Sequence, residues 1–398
     1  MNVPRRAALL IVLMTVAQLP VAMRQLLVVL LGHQNTGSFA AAGAASAGCG
    51  IGLALTAPVV GRLLGRLGDR PVLLATGLVH LLALLGLAMV SNPAAFIALA
   101  TAAGLSTPPA MGSGRAQLAR MVPSPALSRA YAVNAVGQEV LYVGGPLAVT
   151  LSLLVSGPSG ALLTFAAIGT AGLVGTALVI PRRGIEHRST EGRRTAPGRA
   201  VRRTVLATHV GYMVAIGAMW VLVPAFASAA GHPAQAGLLV TVWSVGSLAG
   251  GLLLARLGRP GSPAGAYVAL IGTLATTSLA LLLPRTVPQM AVALAVFGLA
   301  LAPFLAVTDE ILARSTAAAQ LAETYGWLQT VGQLGIAVGS SASGAVNDHF
   351  GNTPALLVVC GALALALAVA VTRRHTLRGP TAAADGSPAV QPPVTTPG

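Results

Sequence analysis

The chain has 398 residues, of which only 24 are basic and 9 acidic, while 55% are apolar. This composition excludes a disordered chain, which needs low hydrophobicity and high charge. It also excludes a soluble globular protein, where about a quarter of residues are charged. The net charge of +15 comes entirely from arginine, and the two cysteines, Cys49 and Cys360, sit in apolar runs that suggest neither disulfide nor metal cluster.

A bilayer core about 30 Å thick needs roughly 20 apolar residues per helical span. Uninterrupted apolar length predicts twelve spans: 7–31, 38–61, 71–91, 94–114, 130–155, 160–180, 204–229, 235–255, 264–284, 289–313, 323–346 and 354–372. Turn-rich breaks separate them, at Gly32-His33-Gln34-Asn35, Ser91-Asn92-Pro93, Gly157-Pro158-Ser159-Gly160 and Gly231-His232-Pro233. The first run is too long for a signal-peptide h-region and is kept as a helix. Three G-x-x-x-G pairs, Gly48/Gly52, Gly246/Gly250 and Gly335/Gly339, mark faces where helices approach closely.

The arginines give orientation. With the N-terminus inside, 22 of the 24 fall in inner segments, leaving Arg285 outside and Arg24 within the first span. The positive-inside rule then places both termini in the cytoplasm. These charges lie in short loops without aromatic interleaving, so nucleic acid is not a partner. The chain divides into a six-helix unit over 1–180, a basic linker over 181–203, a second six-helix unit over 204–372, and a Pro/Thr/Ala-rich tail over 373–398 read as disordered.

The two units repeat in sequence. GRLLGRLGDRP at 61–71 matches GLLLARLGRP at 251–260, GLSTPPAMGSGRAQLAR at 104–120 matches GLALAPFLAVTDEILAR at 298–314, and AVGQEVLYVGG at 135–145 matches TVGQLGIAVGS at 330–340. Six helices per unit is an even number, so the repeats are parallel, related by an axis along the membrane normal. The architecture and the first match resemble the major facilitator superfamily, whose loop after the second helix reads G-x-L-A-D-R-x-G-R-R. Gly61, Leu63, Arg66, Gly68 and Arg70 fit it, while Gly65 stands at the acidic position and Asp69 where a basic residue is usual. Gly144-Gly145-Pro146 is similar to the family's antiporter motif, without the glycines that follow it. QLPVAM at 18–23 and ETYGWLQT at 323–330 resemble small bacterial efflux permeases. The fold this implies is all-α, with twelve transmembrane helices in two parallel repeats.

Intramembrane ionisable groups are expensive and read first as functional. Glu139 lies about 14 Å into its helix, flanked by Asn134, Gln138 and Tyr142. It either loads and releases a proton or fixes packing as a neutral carboxyl, and the repeat puts Leu334 opposite it. Arg115, aligned by the repeat with Asp309 and beside Glu310, suggests an ion pair closing the cytoplasmic side; alternatively each reaches the headgroups. Arg66 and Arg70 either lock one conformation or only signal topology. Arg24, some 25 Å up the first helix, is expected near the outer surface. Gln18, Gln25, Tyr212, Trp220 and Gln329 join Arg24, Asn134 and Gln138 as candidate cavity liners. His80 and His209 are read as packed histidines or relays.

No catalytic, metal or nucleotide-binding spacing is present, so the chain is read as a non-enzyme without cofactor. The expectation is a secondary transporter in a bacterial plasma membrane, a monomer by family resemblance. Its partners are the bilayer, protons and a small hydrophobic or amphipathic substrate, exported by antiport. An uptake or facilitated permease for a sugar or other metabolite, and a non-transporting sensor, are the alternatives.

Overall fold

A computed structural model describes residues 4–180, 199–257, 261–315 and 318–377. Among these there is no strand. Ten helices or joined helix pairs are long and apolar enough to cross a membrane.

The first unit is built from α1 (Arg5–Thr36), α2 (Phe39–Leu67), α3 (Asp69–Met89), α4 (Pro93–Leu105), α5 (Ala110–Met121) and α6 (Ser124–Val179). The second comprises α7 (Arg199–Ala229), a 3-10 turn at Pro233–Gln235, then α8 (Ala236–Leu257), α9 (Pro263–Ala280), α10 (Val287–Gly298), α11 (Leu301–Ser315), α12 (Ala318–Phe350), α13 (Asn352–Thr372) and the short α14 (Arg374–Leu377). Chain direction alternates, so the start of α1, the start of α7 and the end of α13 share one side, here the linker side. The turns after α1 and after α12 lie on the far side.

Several predicted boundaries move, each for a local reason. The Gly32–Asn35 segment is helical, because α1 continues to Thr36 and stops at Gly37, whose φ of 72° favours glycine. The run 94–114 is two helices, α4 and α5, broken where Pro108 and Pro109 remove backbone donors. At the repeat-equivalent place, α10 and α11 part at Leu299 and Ala300. The runs 130–155 and 160–180 form α6, bent at Gly157, whose φ is 66°. The loop expected over 61–70 is helical to Leu67, and only Gly68, with φ of 83°, makes the turn. Gly61 and Arg66 therefore ride on α2, and Arg70 on α3. Of the linker expected over 181–203, residues 199–203 already belong to α7, and 181–198 lie outside the described residues. The expected tail starts as α14, held by a 2.9 Å hydrogen bond between the Thr204 and Thr376 hydroxyls; 378–398 lie outside the described residues.

Small residues let these helices touch backbone to backbone. A Cβ on Gly52 would strike Thr101 and Leu105 of α4, one on Gly250 would strike Leu299, and one on Gly339 would strike Val214 of α7. The three G-x-x-x-G faces are thus packing faces.

Candidate functional site

Among the described residues, the two units meet from their far ends to about mid-depth. Val29 of α1 and Phe39 and Ala42 of α2 form one buried cluster with Val221 and Ala225 of α7. Gly43 and Gly344 let α2 and α12 close on each other, Gly43 against the Ser340 carbonyl and Gly344 against the Phe39 carbonyl. Gly237 of α8 sits on Pro146 and Thr150 of α6 in the same way. The α2–α12 contact reaches as deep as Gly50, where a Cβ would stand 3.2 Å from Gln333 Oε1. Further toward the linker side the helices part. Around Gly61 and Gly65 of α2, and Gly326 of α12, nothing lies within 4 Å of where a Cβ would be. Among the described residues, α5 and α11, which carry Arg115 and Asp309, do not pack along each other. The units therefore enclose a cleft that is sealed on the far side and open on the linker side.

Helical phase tells which residues look into that cleft. On α6, positions 139, 142, 146 and 150 share one row, and its far end packs on α8 of the opposite unit. Position 139 thus lies on the face turned toward the second unit, below the seal; its side chain lies outside the described residues. Tyr142, one turn under Pro146, is exposed. On α12, Gln329 shares a row with Gln333, Ser340 and Gly344 and is exposed one turn below the seal. Asp309 is also exposed and accepts a hydrogen bond from the Tyr325 hydroxyl of α12. Glu310 pairs with Arg314 on its own helix at 2.8 Å. Arg115 is exposed on α5, on the face away from its own unit's core.

Other sequence candidates lie elsewhere. Gly137 abuts Thr15 and Gly145 abuts Met23, so α1 and α6 run in parallel with a fixed offset. By that register Glu139 is level with Ala17 and Arg24 with Pro146, about 10 Å apart along the bundle. Arg24 is not at the far surface as expected, because α1 runs 12 residues past it to Thr36. It is 3% exposed inside the first unit, and its Nη1 donates to Thr107 Oγ1 at 2.7 Å, in the break between α4 and α5. That hydroxyl in turn donates to the Ala103 and Gly104 carbonyls at the end of α4. Gln25 accepts from Ser46 Oγ at 2.5 Å. Gln138 Nε2 reaches Met111 Sδ at 3.7 Å, and Asn134 is buried. Gln18 is half-buried on α1. Tyr212 is core in the second unit, its ring 5.0 Å from that of Phe304, and Trp220 lies 5.8 Å from Trp243. His80 Nδ1 is 2.8 Å from the Ala103 carbonyl, which makes it a donor, and His209 is buried against Tyr212; both are packed.

Sequence reasoning missed two acids. Asp69, read as a departure from the loop motif, is buried at the start of α3 and accepts from Gln117 Nε2 of α5 at 2.7 Å. Asp348, taken for part of a loop, receives three hydrogen bonds from the start of α2. The visible cue was Ser38, a hydroxyl residue heading an apolar run, as an N-cap does.

Two six-helix units closing around a central cleft define a transporter of the two-repeat type. The sequence profile of the Major Facilitator Superfamily matches residues 9–260 and, again, 205–396. The chain belongs to that superfamily, and it is a multi-pass membrane protein. No curated protein matches it significantly. Among solved structures it resembles a bacterial homologue of the iron transporter ferroportin in an inward-facing state, with TM-score 0.74 and 15% identity over 94% of this chain and all of that one. The nucleoside transporter NupG gives 0.72 and 14%, over 94% of this chain and all of that one. The human organic anion transporter MFSD10 gives 0.63 and 18%, over 92% of this chain and all of that one. At such identities the likeness extends to the fold alone.

Proposed function

We propose that this protein is a secondary active transporter of the cytoplasmic membrane. It exports a hydrophobic or amphipathic small molecule in exchange for protons, by rocking its two units about the central cleft. In this reading the polypeptide crosses the bilayer twelve times, α4 with α5 and α10 with α11 counting as one crossing each and α6 as two. The arginine bias puts the linker side in the cytoplasm, so in this reading the described conformation faces inward. One observation carries the proposal. The row of α6 that seals against α8 continues below the seal through Tyr142 to position 139, so the deepest acidic position of the first unit falls on the cleft wall. A carboxyl there can exchange a proton while a substrate occupies the same space.

Everted membrane vesicles with an interior-acid gradient test this. Addition of a transported lipophilic compound should release protons, and Glu139→Gln should abolish that release while leaving compound counterflow intact. Compound uptake that is equally insensitive to an uncoupler in both forms would remove proton coupling. The polar groups on the cleft wall, Gln329 and Gln333 of α12, favour a second reading, a permease for a hydrogen-bonding metabolite. In that case polar solutes, not lipophilic ones, would drive counterflow.

A further inference from the structure

We infer that Asp348 is the latch that holds the far side shut. α2 has no acidic residue in its own first turn, although a helix N-terminus attracts negative charge. The charge arrives from the opposite unit. Asp348 Oδ2, near the end of α12, accepts from Ser38 Oγ at 2.6 Å and from the Ala40 amide at 2.8 Å, and Oδ1 accepts from the Phe39 amide at 3.0 Å. Ser38 Oγ in turn accepts from the Ala41 amide at 3.1 Å. The first three amides of α2 are thus satisfied by one side chain of the second unit and by the hydroxyl that side chain orients. Just beneath, Gly344 faces the Phe39 carbonyl and Gly43 the Ser340 carbonyl, so the bonds and the close packing form or break together.

This assignment rests on the rocking reading above. Asp348 touches no substrate; it is a positioning residue that weights the closed far side against the open one. The site is suited to reversal because water can satisfy both the freed carboxylate and the freed amides once the units separate there. Loss of a charge-assisted bond is partly offset, leaving two states close in energy.

The test uses the full chain with its two cysteines, Cys49 and Cys360, replaced. One reporter cysteine goes at Ser340 in the seam, and another at Gln329 below it. Labelling by a membrane-impermeant maleimide is read from outside for the first and from inside for the second. Asp348→Asn should raise Ser340→Cys labelling about tenfold, the weight of one charge-assisted bond, and lower Gln329→Cys labelling. Asp348→Glu should restore part of the original pattern, and Ser38→Ala should give a smaller shift of the same sign. General damage would raise both reporters, and that result, or unchanged labelling at Ser340→Cys, overturns the latch. Gly237→Trp, which wedges the far seam at α8, is the control for rocking. If it moves the reporters oppositely and Asp348→Asn does not, the latch is wrong and rocking stands; if neither moves them, both fall.

Discussion

The Asp69 carboxylate receives the Gln117 amide at 2.7 Å and ties the first turn of α3 to α5 on the linker side of the first unit. Both residues are almost fully buried. An acid at a helix start is favoured by the dipole, and one that is buried must also be hydrogen-bonded. Asp69 therefore works inside its own unit, whatever role the neighbouring arginines have in the transport cycle. Gln117→Leu leaves a buried carboxylate without its donor and should cost about 1–3 kcal/mol. Asp69→Asn keeps an acceptor and loses mainly the dipole contribution, about 0.3–1 kcal/mol. The melting temperature in detergent should fall further for Gln117→Leu than for Asp69→Asn; the reverse order would mean the bond is not what anchors α3.

The packing glycines make a second contrast. At Gly250 a Cβ would collide with the carbonyl of Leu299, which caps α10, and neither backbone can yield cheaply. At Gly61 a Cβ meets open space. Gly250→Ala should lower the melting temperature by forcing α8 from α10, at about 1–3 kcal/mol. Gly61→Ala should raise stability by about 0.5–1 kcal/mol, the helix-propensity difference. Equal effects at the two positions would show that the α8–α10 contact is not close-packed.

This difference marks how far the sequence could be read. Apolar length located the helices, and duplicated motifs located the two units, because both signals are one-dimensional. The G-x-x-x-G pairs could be assigned to packing for the same reason. Long-range polar partners could not be assigned. Nothing local pairs Asp348 with an amide 308 residues away, and only the seam between units brings them together. Arg24, about 25 Å up α1, is not at the outer surface because Gly32 to Thr36 extend the helix past the expected end at Leu31. Gly32-His33-Gln34-Asn35 has turn composition, but tertiary packing against Phe96 and Phe39 holds it helical.

Arg115 and Asp309 occupy equivalent places in the two repeats, each on a face turned away from its own unit's core. When the linker side closes, these faces approach. A pair formed there would stabilise the outward-facing state. Arg115→Asp and Asp309→Arg should each suppress transport at least tenfold through like-charge repulsion, and the double exchange should recover most of it. Absence of rescue, with both single variants folded by size-exclusion profile, would dismiss the pair as a gate.

The latch at Asp348 also sets a pH expectation, because the residue lies past the apolar stretch that ends at 346. Partial burial works to raise its pKa. Hydrogen bonds from Ser38, Ala40, Phe39 and Asn347 outweigh that and hold the carboxyl below its ordinary 3.8. A carboxyl with a lowered pKa in the closed state favours that state above the pKa it has when open, and the benefit is lost as pH falls through the closed-state value. His33 of α1, stacked on Phe39 at 3.8 Å, faces the same carboxylate. His349 follows Asp348 on α12. With spin labels at Ser91→Cys and His232→Cys on the far side, the interlabel distance should stay constant from pH 8 to 5. It should lengthen only below the ordinary aspartate range. In Asp348→Asn that acid transition should be missing, and the distance should be long throughout. A transition between pH 5 and 7 that survives Asp348→Asn would instead assign the pH response to the histidines.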